Sequence, residues 1–233
     1  MRKKLLAGMA MGVGLLMSFG PAMAQTDITW DFQNFGPNAV PPGGTSQTYD
    51  GKVGGSYTPT YQITASGYEL TSTAPPLSPG DPTDLYGKFT LGDPTETGLG
   101  LADFPEHEIG TLQAIKLDFT TLLSDPNVLP TIEITISSIQ TNEGWQIYAD
   151  SDHSTALFSG SGGDVFTQSI DTSLYGSVFW VTANFAVSST SSNNVLIESV
   201  AATAVPEPAT LLLLGSGLTG LGLLRKRVFS PHA

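Results

Sequence analysis

The chain has 233 residues, no cysteine and a formal net charge of −12. The missing thiols exclude a disulfide framework and thiolate-based zinc sites. Between Gln25 and Ala204 the only cations are Lys52, Lys88 and Lys116, set against 20 of the 21 acidic residues, so this stretch carries a net charge near −17. A surface of that sign repels nucleic acid and anionic lipid and attracts cations.

The first 24 residues read as an export signal. Arg2, Lys3 and Lys4 form a positive start, Leu5 to Phe19 is uncharged and mostly apolar, and Ala22-Met23-Ala24 fits the small-x-small rule for cleavage. The apolar stretch is shorter than the ~18–20 residues a membrane span needs. The mature chain is therefore expected to begin at Gln25 and to use the general secretion machinery. Gln25 to Ala204, about 180 residues, suffices for one domain with its own core.

Within this body, short β-branched and aromatic runs alternate with Gly, Pro, Ser and Asn, which predicts an all-β antiparallel β-sandwich or jelly-roll-like fold. The first strand is expected at Ile28–Phe32, followed by a loop through Pro41, Pro42, Gly43 and Gly44. Strands are then expected at Ser46–Asp50, Tyr61–Ala65 and Tyr68–Thr71, with a turn at Ser66-Gly67, a loop over Ala74–Pro82 and a strand over Leu85–Leu91. Ile115, Leu117 and Phe119, and later Ile132, Ile134 and Ile136, alternate with polar residues, the period of a half-buried strand. Asn142-Glu143-Gly144 turns into Trp145–Ala149, and Ser159–Asp164 is a second turn. Val178–Val187, apolar on both faces, suggests a central strand. Val195–Ala202 closes the body.

No motif for catalysis stands out. His107 and His153 are the body's only histidines, His107-Glu108 lacks the second histidine of a zinc-protease helix, and no Gly-x-Ser-x-Gly elbow occurs. The body is expected not to be an enzyme. Asp103, Glu106 and Glu108 crowd into six residues after a Gly-rich stretch and offer the hard oxygen donors that a structural Ca²⁺ takes. Asp150 and Asp152 beside His153 form a weaker cluster. Trp30, Trp145 and Trp180 are all expected in the core, Trp30 and Trp180 within apolar runs; Trp145, just after a turn, is the one that partial exposure would let stack on a sugar ring.

The carboxyl end combines Val205-Pro206-Glu207-Pro208-Ala209-Thr210, an apolar run to Leu224, and Arg225-Lys226-Arg227 before a tail at residues 228–233. Ala209–Leu224 is 16 residues, about 24 Å as a helix, short for a hydrocarbon core of ~30 Å. It is expected to be a short transmembrane helix, with Arg225, Lys226 and Arg227 as a cytoplasmic stop and the body on the far side. The two prolines keep Pro206-Glu207-Pro208 extended. Residues 205–227 resemble the PEP-CTERM sorting signal of exosortase substrates, exported proteins of Gram-negative bacteria that also make exopolysaccharide. The resemblance implies recognition at Pro206-Glu207-Pro208 by an exosortase-type membrane protease, transient anchoring in the inner membrane with the body in the periplasm, and then passage to the cell surface or beyond. More faintly, Gly98–Leu101, His107–Ile109, Ile134–Ile136 and Gly144–Tyr148 resemble the bodies of many such proteins, β-sandwiches similar in outline to carbohydrate-binding modules. The expected role is structural or exopolysaccharide-associated binding in the extracellular matrix. A secreted polysaccharide hydrolase and a self-assembling surface-layer subunit stay open beside it.

Overall fold

The computed structural model describes residues 25–32, 43–72, 75–88, 96–102, 107–184 and 193–205. The export signal, Asp103, Glu106, Pro206-Glu207-Pro208, the apolar run and Arg225-Lys226-Arg227 lie outside the described residues. Among those described, no helix is long and apolar enough to cross a membrane. Gln25 to Val205 forms one compact unit.

The unit is all-β, and among the described residues every strand pairing is antiparallel. In chain order the strands are β1 (Thr26–Asp31), β2 (Ser46–Val53), β3 (Ser56–Leu70), β4 (Pro79–Thr83), β5 (Leu85–Lys88), β6 (Gly98–Leu101), β7 (Ile109–Gly110) and β8 (Gln113–Asp118). A one-turn helix α1 (Thr120–Leu123) leads to β9 (Val128–Ile139), β10 (Gly144–Ala149), β11 (Phe158–Ser161) and β12 (Asp164–Asp171). A second short helix, α2 (Thr172–Tyr175), precedes β13 (Val178–Ala183) and β14 (Asn194–Ala204).

A sandwich is built from two sheets, whereas the pairing here joins the strands into one sheet of 14 among the described residues. Its main path runs β12-β9-β14-β1-β2-β3-β8-β13-β10-β11. The two ends of that path nevertheless share one core. Ile132, Ile134, Ile136, Ile197 and Val200 from β9 and β14 belong to the same buried cluster as Ile115, Leu117, Ile147 and Val181 from β8, β10 and β13. The sheet therefore curls over its own apolar face. Trp145 of β10 meets Phe166 of β12 at 4.9 Å between ring centres. Buried Asn193 straps the halves together: its Oδ1 accepts from Gly144 N at 2.9 Å and its Nδ2 donates to Asn184 O.

The period-two readings translate directly into burial. Ile115, Leu117, Phe119, Ile132, Ile134 and Ile136 are fully buried, while Glu133 faces solvent. β13 lies between β8 and β10 as a central strand should. Its second face is covered too, because Trp180 joins Leu70, Leu77, Ala114 and Tyr148 in a smaller cluster on the opposite side. Trp30 and Trp180 are core residues, as their apolar runs suggest.

The hairpin reading needs correction. Ser66-Gly67 is not a turn; β3 runs unbroken from Ser56 to Leu70. The reversal is Gly54-Gly55, with φ of 57° and 85°, the backbone that a two-residue hairpin between Val53 and Ser56 demands. Gly67 serves close packing instead, since a Cβ there would stand 2.5 Å from Thr83 O on β4. The stretch expected as a loop up to Pro82 contains β4, whose Pro82 and Pro79 pair with Tyr68 and Leu70. An edge position tolerates such prolines. β12, which no expectation covered, is an edge strand paired only to β9 and is exposed over most of its length.

Gly67→Ala must push β4 off β3. A loss of about 2 kcal/mol is expected, seen as a thermal midpoint lower by roughly 6 °C. A midpoint within about 1 °C of the parent would show that the close approach is not needed.

Candidate functional site

Among the described residues, a close group of ionisable side chains gathers where β5, β6, β7 and β9 meet the start of β14. Lys88 ends β5, Glu96 precedes β6, Glu108 precedes β7, and Ser138 lies near the end of β9. Two glycines let these segments approach. A Cβ on Gly98 would stand 2.7 Å from Ile197 O, and one on Gly100 would collide with His107 O and the Glu108 backbone. Ser138 has φ of 59°, a left-handed conformation uncommon outside glycine, which accompanies an irregularity in the β9–β12 ladder between Asp164 and Phe166.

Lys88 Nζ donates to Glu96 Oε2 at 2.6 Å and to Glu108 Oε1. Ser138 Oγ lies 3.0 Å from Glu96 Oε1 and 2.9 Å from Glu108 Oε1; its single hydrogen can satisfy one of the two at a time. Glu108 is 1 % exposed and its Oε2 has no hydrogen-bond partner. Burial pushes the Glu108 carboxyl up from 4.5 to about 7, against the opposite pull of Lys88 and Ser138. For Glu96, burial raises the value but the hydrogen bonds from Lys88 and Ser138 outweigh it and hold it below the ordinary glutamate range. Lys88 is lowered by burial and raised further by Glu108 and Glu96, for a net upward shift.

Adjacent carboxyls with opposed shifts are the pattern of an acid–base pair. Here the carboxyl holding its proton to higher pH is the one sealed from solvent, and both are gripped by a lysine. That arrangement suits a clasp between strands better than proton transfer to a substrate. His107, at φ of 59°, stacks on Tyr86 with ring centres 3.9 Å apart, and its Nδ1 lies 3.2 Å from Ala102 O.

Of the three residues expected to hold calcium, Glu108 is described and its Oε1 is taken by Lys88 and Ser138. Among the described residues no three His, Asp or Glu side chains cluster to hold a metal ion. Asp150, Asp152 and His153 do not converge. Asp152 Oδ1 accepts from Ser154 N and Oγ at 2.8 and 2.6 Å, closing its own turn. Asp150 Oδ1 accepts from Trp180 Nε1 at 2.8 Å and lies 3.5 Å from Lys116 Nζ, with His153 Nε2 3.9 Å away.

Trp145 is a core residue like the other two tryptophans, and its candidate role as a sugar-stacking face is not met. It is 1 % exposed, with Phe166 against it and Gly160 lying over its ring, where a Cβ would be 2.8 Å from Nε1. A ring so enclosed offers no face to a sugar. Lys88, Glu96 and Ser138 were not singled out from sequence, although one signal was present: a lysine inside an apolar strand, one of three cations among 20 acids, has to find buried carboxylates.

A family model of the PEP-CTERM protein-sorting motif matches residues 204–227. The match covers Pro206-Glu207-Pro208, the apolar run and the terminal Arg225-Lys226-Arg227. The chain thus carries the signal of an exported, exosortase-sorted protein. No curated protein and no solved structure matches the chain.

A carboxyl with a raised folded-state value binds its proton more tightly in the fold than in the unfolded chain. Its contribution to stability is therefore greatest at acid pH and is lost as pH rises from about 4.5 through about 7. Glu108→Gln should remove that decline, so that its thermal midpoint falls less steeply with rising pH across this window. Parallel profiles for the two proteins would contradict the assignment.

Proposed function

We infer that the chain is a surface or extracellular-matrix protein, exported through the general secretion machinery and held in the inner membrane with its body in the periplasm. An exosortase-type protease then processes it at Pro206-Glu207-Pro208. At the surface the body acts as a structural or exopolysaccharide-associated binding module. The observation that carries the reading is the sorting motif at residues 204–227, which begins at the final residue of the body's last strand. The body's character supports it: about 180 residues, net charge near −17, no thiol to be oxidised outside the cell, and a continuous buried apolar core.

The acid surplus suits a module that meets an acidic glycan through shared divalent cations, since oxygen donors from both sides complete the shell that Ca²⁺ prefers. Asp103 and Glu106, which the sequence sets among the acidic residues after a Gly-rich stretch, would supply the protein's part. The sheet, curled over one core, offers a sandwich-like support for such a role, and no chemical step is assigned to it.

Fractionation of producing cells tests both halves of the reading. The parent chain should leave the membrane and sediment with exopolysaccharide, and a calcium chelator should free it. Replacing Pro206-Glu207-Pro208 by three alanines should leave it in the inner membrane. Unchanged release of that variant would sink the sorting assignment; release without glycan association would sink the matrix role alone.

A further inference from the structure

We propose that the folded body itself restrains processing of the sorting motif, because the motif begins inside the last strand and must be partly peeled from the sheet before a protease can grip it. This rests on the exosortase reading above and adds a regulatory step to it.

The motif match starts at residue 204, and Ala204 is the final residue of β14. Ala204 is paired on one side with Thr26 of β1 and on the other with Val128 of β9. Val205 is pinned as well, its amide donating to Asn127 O at 2.7 Å. Asn127 is braced in turn by Asp125, whose Oδ1 accepts from Asn127 N at 2.9 Å and from Nδ2 at 3.1 Å. Pro206 follows by one peptide bond. No spacer separates secured backbone from Pro206-Glu207-Pro208.

A protein that reads an extended segment does so largely through that segment's free main-chain groups. On the body side of this motif those groups are already used, by β1 and β9 up to Ala204 and by Asn127 at Val205. Binding there requires Ala202–Val205 to leave its neighbours, a local opening that need not involve the rest of the fold. The side chains at this end favour such an opening. Ala202 and Ala204 give up little apolar contact when they leave and Val205 is only half-buried, whereas Val195, Leu196, Ile197 and Val200 farther along are fully buried. The strand is thus built to release its last residues and retain the others. The rate of processing then follows the stability of this strand end as well as the protease's affinity for the motif.

The test uses the full chain in its producing cell, with pulse-labelled precursor followed from its membrane-held to its processed form. Inserting Gly-Ser-Gly-Ser between Val205 and Pro206 leaves every body residue in place and should speed processing roughly tenfold. Asp125→Ala keeps the spacing but removes the brace on Asn127, and should speed it about threefold. A linker variant no faster than the parent overturns the proposal. So does acceleration by the linker with none from Asp125→Ala, since distance from the membrane and not release of the strand would then be limiting. The triple-alanine variant separates the two claims. If it is processed like the parent, the sorting reading itself fails; if it stalls while the linker variant is not accelerated, only the restraint fails.

Discussion

The fold depends on its last strand being a central one. β14 pairs with β9 along one edge and with β1, β6 and β7 along the other, so strands from both ends of the body meet on it. Val195, Leu196, Ile197 and Val200 are fully buried, each contributing about 1.5–3 kcal/mol by burial. Without β14, β9 and β12 lose their connection to β1, and the core loses one wall. A chain built this way cannot complete its sheet until its final residues have been delivered, and those residues run straight into the sorting motif. Folding and sorting thus share one segment.

The second constraint is scarcity of positive charge. All three lysines of the body are paired with acids: Lys52 with Asp31 at 3.7 Å, Lys116 with Asp150 at 3.5 Å, and Lys88 with Glu96 and Glu108. The first two are solvated pairs of the kind worth at most about 1 kcal/mol. Lys88 is different because Glu108 lies in the interior, where removing one partner leaves an uncompensated buried charge. No other lysine or arginine lies between Gln25 and Ala204 to meet the remaining acids, and a surplus of that sign attracts cations.

Much of the architecture could be read from the chain because it depends on period-two alternation. Ile115–Phe119 and Ile132–Ile136 bury the residues their pattern indicates, and Val178–Ala183 is central because both of its faces are apolar. What could not be read depends on contacts distant in sequence. Gly67 looks like a turn glycine locally, yet it is reserved for the approach of Thr83; Gly54-Gly55, less conspicuous, makes the turn. Trp145 sits beside a turn, yet Gly160 and Phe166 from two other strands close over it. The clasp of Lys88, Glu96, Glu108 and Ser138 joins residues up to 50 positions apart, and its tightness depends on Gly98 and Gly100. The sorting motif was fully legible because it is linear: three features in a fixed order, independent of the fold.

Hydrogen exchange on the protein recovered from the cell surface tests the central role of β14 most directly. The amides from Val195 to Val200 should exchange as slowly as those of β1 and β9, released only when the whole sheet opens, although the strand lies at the end of the body. Exchange there as fast as in the edge strands β11 and β12 would contradict a fold closed by its last strand.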